Sequence, residues 1–174
     1  LELQVQDADR FVPVRFDNLV WFSDQELLDQ LHAAVPLFQG QLPVAGDLAD
    51  EVSTALQGLL ITRNVPGRVD YLRAAQEDGP VEAFVFTVTG PRIHIRNVAF
   101  AGAGASESAL LESAAKKLQG AEYLRSIIRI QEDKNFLPIY LERGYLKARL
   151  GDAQPKIVQN TPEETTVDVT LPVE

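Results

Sequence analysis

Val14-Arg15-Phe16-Asp17-Asn18-Leu19-Val20-Trp21 returns 79 residues later as Ile93-His94-Ile95-Arg96-Asn97-Val98-Ala99-Phe100. Both stretches alternate apolar and polar residues, reach an Asn, and close on an aliphatic residue, a small or aliphatic one and an aromatic. Two further blocks keep the order. Leu56-x-x-x-Leu60-x-x-Arg63-Asn64-Val65 lies over Phe136-x-x-x-Tyr140-x-x-Arg143-Gly144-Tyr145 at an offset of 80, and Phe84-x-Phe86-x-Val88 over Val167-x-Val169-x-Leu171 at 83. Chance could supply any one of these matches. Three in register point to a duplicated module, and an internal period outranks any single-element reading. The copies are expected at residues 1–90 and 91–174.

Each copy opens on a strand, because its apolar residues recur with a period of two. In the second copy Ile93, Ile95 and Val98 to Phe100 are expected to face the core, with a change of register near Asn97. A helix follows. In the first copy Ser23 and Glu26 form a capping box, and Leu27, Leu28, Leu31 and Val35 make the buried stripe up to Pro36. In the second copy the cap is expected at Ser106 or Ser108, the stripe at Ala109, Leu110, Ala114 and Leu118, and the end at Gly120. The second helix spans about Asp47 to Arg63, capped by Asp47, with Leu48, Val52, Ala55, Leu56, Leu59 and Leu60 buried. Its counterpart spans about Ile127 to Arg143, with Ile130, Phe136, Leu137, Tyr140 and Leu141 buried, and is bent or interrupted at Pro138. These helices end at Asn64 and Gly144, the two residue types that most readily take the left-handed cap conformation. Two strands complete each copy: Arg68–Gln76 and Val81–Thr89, then Leu146–Val158 and Thr165–Val173. The segment Pro36 to Gly46 is expected as a loop. The fold class is therefore α+β: two tandem β-α-α-β-β modules, each a three-stranded mixed sheet covered on one face by a helix pair.

Composition narrows the function. Apolar residues are 45% and charged residues 24% of 174, the balance of a globular chain. Residues 1–90 hold 5 Lys/Arg against 14 Asp/Glu, while residues 91–174 hold 11 of each. An acidic first half repels phosphate backbones, so no nucleic-acid partner is expected. No Cys is present, which removes disulfides, zinc ribbons and thiol nucleophiles. Leu1-Glu2-Leu3-Gln4 lacks the basic and apolar regions of a signal peptide. The chain contains no Met, and it is expected to be a piece of a longer or processed protein.

The motifs resemble those of POTRA domains, the periplasmic repeats of the BamA family of outer-membrane assembly factors and of two-partner secretion transporters. Ile93-x-Ile95-x-Asn97-Val98-x-Phe100-x-Gly102 is similar to the family's opening strand, which ends in an aromatic and a Gly. Tyr140-x-x-x-Gly144-Tyr145-x-x-Ala148 is similar to its signature between second helix and second strand. Gly90-Pro91 resembles a junction between modules. The first copy departs at Trp21-Phe22, at Asn64 in place of Gly, and at Leu60 in place of Tyr. The resemblance implies a periplasmic location, attached to the outer membrane through a β-barrel C-terminal to this segment. It implies partners as well: unfolded outer-membrane or secreted polypeptides, and assembly lipoproteins. It also implies strand addition at the second strand of each sheet, where an extended client pairs with open main-chain groups. The residues singled out are Val69, Tyr71 and Arg73 in the first copy and Lys147, Arg149 and Lys156 in the second. Asn64, Gly144, Tyr140 and Tyr145 are the structural motif, with both tyrosines packing the sheet–helix interface. Gly151 and Pro155 are expected to break or bulge the second copy's edge.

No catalytic set, cofactor or metal site is expected. A metal site would need His32, on a helix of the first copy, and His94, on a strand of the second, on adjacent surfaces with a carboxylate, and both are expected as ordinary surface or rim residues. The serines lack a partner base, and Gly102-Ala103-Gly104-Ala105-Ser106 lacks the Lys of a phosphate loop. Asp47, Asp50 and Glu51 read as charges favouring a helix N-terminus. The alternative function is an interaction module of a cell-division or adhesion protein with the same fold. A small enzyme would need convergent polar groups that the sequence does not supply.

Overall fold

The computed structural model describes residues 10–174; the reading of residues 1–4 lies outside them. The chain divides into two compact units, the first ending at Gly90 and the second spanning Pro91–Glu174.

In the first unit the order is β1 (Phe11–Phe16), α1 (Asp24–Ala34), β2 (Gln41–Pro43), α2 (Leu48–Thr62), β3 (Arg68–Ala75) and β4 (Val81–Thr89). The sheet runs β2-β1-β4-β3, with β1 parallel to β4 and both β2 and β3 antiparallel to their neighbours. It thus has one strand more than the sequence reading gave it, because the expected loop Pro36–Gly46 contains β2. Leu27 and Leu31 of α1 and Val52, Leu56 and Leu60 of α2 are buried along with Phe84, Phe86 and Val88 of β4. Ser23 caps α1 by accepting the Glu26 N–H at 3.1 Å. Glu26 does not reach back to complete the box; its carboxylate pairs with Arg63. Asp47 stands at the N-cap of α2 without a side-chain hydrogen bond, so only the dipole argument for Asp50 and Glu51 remains. β1 stops at Phe16, short of the expected strand, and the Asn18 carboxamide then continues its ladder. Asn18 Nδ2 donates to the Val88 carbonyl at 2.9 Å and Oδ1 accepts the Val88 N–H at 2.7 Å.

The second unit runs β5 (Arg92–Ala101), α3 (Ala105–Ala115), a 3-10 turn (Lys116–Leu118), α4 (Arg125–Gln131), a π turn (Glu132–Phe136), α5 (Leu137–Leu141), β6 (Gln154–Asn160) and β7 (Glu164–Pro172). Its sheet runs β5-β7-β6, with β5 parallel and β6 antiparallel to β7. The register shift expected near Asn97 lies between Ile95 and Asn97.

Three local readings need correction here. Gly104, not Ser106 or Ser108, is the N-cap of α3, and Ser108 Oγ bonds back to the Gly104 carbonyl at 3.0 Å. Glu107, Leu111 and Ala115 are buried and Leu110 is exposed, so the buried stripe lies one residue away from the expected one. Pro138 acts upstream of itself. It lacks an N–H and its ring crowds the carbonyl four residues back, and the helix answers with a π turn in which the Leu137 N–H reaches Glu132. Ile128 takes the buried position in α4, leaving Ile130 and Leu141 exposed. Finally, the strand expected over Leu146–Val158 begins only at Gln154. Tyr145 to Ala148 form a turn, Arg149 pairs both ways with Glu174, and Gly151 donates to Pro172 at 2.8 Å. Pro172 has no N–H to return, so the ladder breaks there.

Candidate functional site: the outer edges of the two sheets

The first strand of each unit is covered on its outer side by the segment between its helices. In the first unit this is β2, pairing Phe11 to Pro13 with Pro43 to Gln41. In the second, Ala121 accepts the Ile95 N–H at 2.9 Å, while Gly120 and Tyr123 each donate at 2.7 Å to Ile95 and Ile93. The long strand edges left open are therefore β3 and β6.

Hydrogen-bond parity fixes which β3 residues offer their main chain outward. Phe86 and Val88 turn their carbonyls toward the β1 side, to Asp17 N–H and Asn18. Val85, Thr87 and Thr89 must then face β3, where they sit opposite Leu72, Asp70 and Arg68. Val69, Tyr71 and Arg73 consequently direct their N–H and C=O groups away from the sheet. These are the three residues singled out from the sequence. Among the described residues no strand lies on that side. Among the described residues the outward groups engaged are at the start: the Val69 N–H donates to Gln57 Oε1 at 2.9 Å, and Gln57 Nε2 donates to the Gly67 carbonyl at 3.1 Å. A register shift at Ala74/Ala75 ends the regular edge.

The side chains of this edge point to the helix layer and are held there. Val69 is buried. Tyr71 packs 5.8 Å from the Phe84 ring and 5.4 Å from Phe86, and its hydroxyl donates to Asp50 at 2.7 Å. That bond, and then burial, raise the tyrosine pKa. The Arg73 guanidinium lies 5.4 Å over the Phe84 ring.

β6 is built differently. Glu163 accepts the Arg92 N–H and Ala101 accepts the Val173 N–H, so odd residues of β7 face β5. Even residues face β6, where Thr170 opposes Gln154 and Asp168 opposes Lys156. The outward positions are therefore Pro155 and Ile157, opposite Val169 and Val167, and, past a register shift between Ile157 and Gln159, Asn160 opposite Thr165. In the repeat register Val169 corresponds to Phe86, so Pro155 occupies the place of Tyr71, and it has no N–H to offer. The three residues proposed for this edge do not supply it. Lys156 turns its main chain inward to Asp168. Lys147 is in the turn before the strand. Arg149 is paired with Glu174. On the open face Arg96 binds Asp168 at 2.9 Å. That bond, with Lys156 nearby, holds the Asp168 carboxyl below the usual range.

The motif residues form one construction twice. Asn64 (φ 55°) and Gly144 (φ 86°) are left-handed. Val65 N–H reaches Leu60 and Asn64 N–H reaches Ile61, at 2.9 and 3.0 Å; Tyr145 reaches Tyr140 and Gly144 reaches Leu141, both at 3.0 Å. Each is a Schellman cap. Tyr140 is buried, and burial raises its pKa. Tyr145 is exposed rather than interfacial and meets the Tyr140 ring edge-on at 6.1 Å. The arginine before each cap ties the second helix to the first. Arg63 donates to the Trp21 carbonyl at 2.9 Å and pairs with Glu26. Arg143 donates to the Ser106 carbonyl at 3.2 Å and to Glu107 at 2.7 Å. Arg63 and Arg143 recur in the sequence without a pattern that assigns them a role, and Gln57 carries no signal in the sequence.

His32 Nδ1 lies 3.0 Å from the Phe38 carbonyl and His94 Nδ1 3.3 Å from that of Gly120. Among the described residues no three His, Asp or Glu side chains gather to hold a metal ion.

No family model and no curated protein matches the chain. Among solved structures it is similar to POTRA1-2 of the periplasmic domain of Omp85 from Anabaena, at 17% identity over 91% of each chain with a TM-score of 0.35. It is also similar to CdiB from Escherichia coli, at 14% identity and a TM-score of 0.34, covering 98% of this chain but 29% of that one. A third similar structure is POTRA3-5 of BamA from Haemophilus influenzae, at 14% identity over 95% of this chain and 66% of that one, with a TM-score of 0.33.

Proposed function

We propose that this chain is a periplasmic POTRA region of an outer-membrane assembly or secretion protein. On this reading it is a binding module, and its first unit receives an extended polypeptide on the outer edge of β3. The carrying observation is the row of outward N–H and C=O groups at Tyr71 and Arg73, beside side chains already fixed on the sheet. Main-chain pairing is largely indifferent to client sequence, which suits unfolded outer-membrane or secreted polypeptides destined for a membrane barrel. The motifs around Gly102 and Gly144 support the family reading. The second unit, with Pro155 at the start of its edge and a register shift between Ile157 and Gln159 further on, serves as framework or as a contact for assembly lipoproteins.

The test is amide exchange and NMR titration of the chain with peptides copied from transmembrane barrel strands. The amides of Tyr71 and Arg73 should gain protection, and those of β6 should not. Arg73→Pro removes one outward donor without touching the ladder to β4, a place where proline is tolerated. It should weaken binding about tenfold, the loss of one hydrogen bond. Pro155→Val should open a second site on β6. Peptide binding that leaves every β3 amide unchanged would refute the proposal.

A further inference from the structure

The bonds made by Gln57 have a specific geometry. In a parallel pair, one residue donates its N–H to the carbonyl of residue i−1 on the neighbouring strand and accepts the N–H of residue i+1. The Gln57 carboxamide does this with Gly67 and Val69, so it occupies the position of a parallel-strand residue opposite Arg68. It is a piece of surrogate strand, fixed to α2, seated on an otherwise open edge.

We infer that Gln57 is a register stop for the strand that β3 receives. This rests on the reading of β3 as the receiving edge. With the amide in place, the groups open to a client run from the Val69 carbonyl through Tyr71 to the Arg73 carbonyl. A client cannot pair further back without displacing the amide. The consequence is phase. Side chains alternate along a strand, so a slip of one residue transposes the two faces of the client. A stop at one end, with the register shift at Ala74/Ala75 at the other, leaves a short window and limits such slips. Among the described residues the second unit shows no such device: in the repeat register Leu137 stands at the place of Gln57, and Pro155, at the place of Tyr71, removes a donor from the window that a stop would bound.

The experiment compares the whole chain with its Gln57→Leu variant, by residue-resolved amide exchange with and without a barrel-strand peptide. In the parent chain the peptide should slow exchange at Tyr71 and Arg73 and leave Val69 as it was, already protected by Gln57. In the variant Val69 should exchange faster when free, and slow about tenfold with peptide as pairing extends backward. Gln57→Glu, which can accept from Val69 but not donate to Gly67, should keep Val69 protected. If Val69 responds to peptide equally in parent and Gln57→Leu chains, or in neither while Tyr71 and Arg73 respond in both, the stop is refuted and the receiving edge stands. If Tyr71 and Arg73 respond in neither chain, both ideas fall.

Discussion

Gly102 and Gly144 both have positive φ, 89° and 86°, yet the structure gives them unequal sensitivity to substitution. A Cβ at Gly144 would meet nothing within 4 Å. Gly144→Ala therefore carries only the left-handed backbone penalty, about 1–2 kcal/mol. A Cβ at Gly102 would lie 2.9 Å from the Val173 carbonyl oxygen. That carbonyl cannot retreat freely, because the same residue's N–H is bonded to Ala101 at 2.8 Å where β7 ends. Gly102→Ala should thus add about 1–3 kcal/mol of overpacking to the same penalty. For a urea slope of ~1.5 kcal/mol/M, the second unit's midpoint should fall by roughly 1 M for Gly144→Ala and roughly 2 M or more for Gly102→Ala. Circular dichroism follows the melt. Fluorescence of Trp21, the chain's single tryptophan and a first-unit residue, gives an internal reference. Gly144→Asn should recover much of the loss, since Asn64 holds the equivalent place at φ 55°. Equal costs at the two sites would refute the carbonyl contact, and no cost at Gly144 would refute the left-handed cap.

Two further predictions concern buried polar groups. Asn18→Ala leaves the Val88 N–H and C=O without their partner inside the first unit, and should destabilise it by about 2–4 kcal/mol in the Trp21-monitored melt. Asn18→Ser melting like the parent would count against that role. In the second unit, hydrogen bonds from Ser106 and Arg143 hold the Glu107 carboxyl below its ordinary value. A lowered acid pKa stabilises the fold above the unfolded value, about 4.3, and that contribution disappears as pH falls through the folded value. The thermal midpoint should drop on acidification below pH ~4.5, and Arg143→Leu should flatten part of that drop. An unchanged pH profile in the variant would reject the pairing.

The duplication was legible because its residues fix backbone geometry as well as burial. Asn64 and Gly144 hold matching places because a Schellman cap needs a left-handed residue. What could not be read depended on distant partners. The segment Leu146–Ala153 has strand composition, yet it forms only an isolated bridge at Leu150 and Val173, because Pro172, on another strand, cannot donate back to Gly151 and the ladder is interrupted there. Ser106 and Ser108 are good caps by type, but the chain enters α3 two residues earlier, at Gly104, and the core takes Leu111 rather than Leu110. Glu26 looked complete as half of a capping box, which hid its pairing with Arg63. Gln57 is one polar residue on a helix; only the parity of β3 shows what its amide replaces.

The two units agree where the backbone is used internally and differ where it faces out. Both share the parallel pairing of first and last strands, the left-handed cap and the arginine tie between helices. At the two outward edge positions they diverge: Tyr71 against Pro155, and Gln57 against Leu137. Fold stability explains the agreement, since each shared feature holds an internal bond or a close contact. It does not explain the divergence. An outward N–H makes no bond within the sheet, so a proline there sacrifices no ladder hydrogen bond, and a glutamine bound to an edge is worth about as much as the water it displaces. Such positions are free to be set by what approaches from outside. An edge open to pairing but bounded at both ends in the first unit, against an edge interrupted by Pro155 and a register shift in the second, is the arrangement expected if a single strand is to be received in one place and one phase.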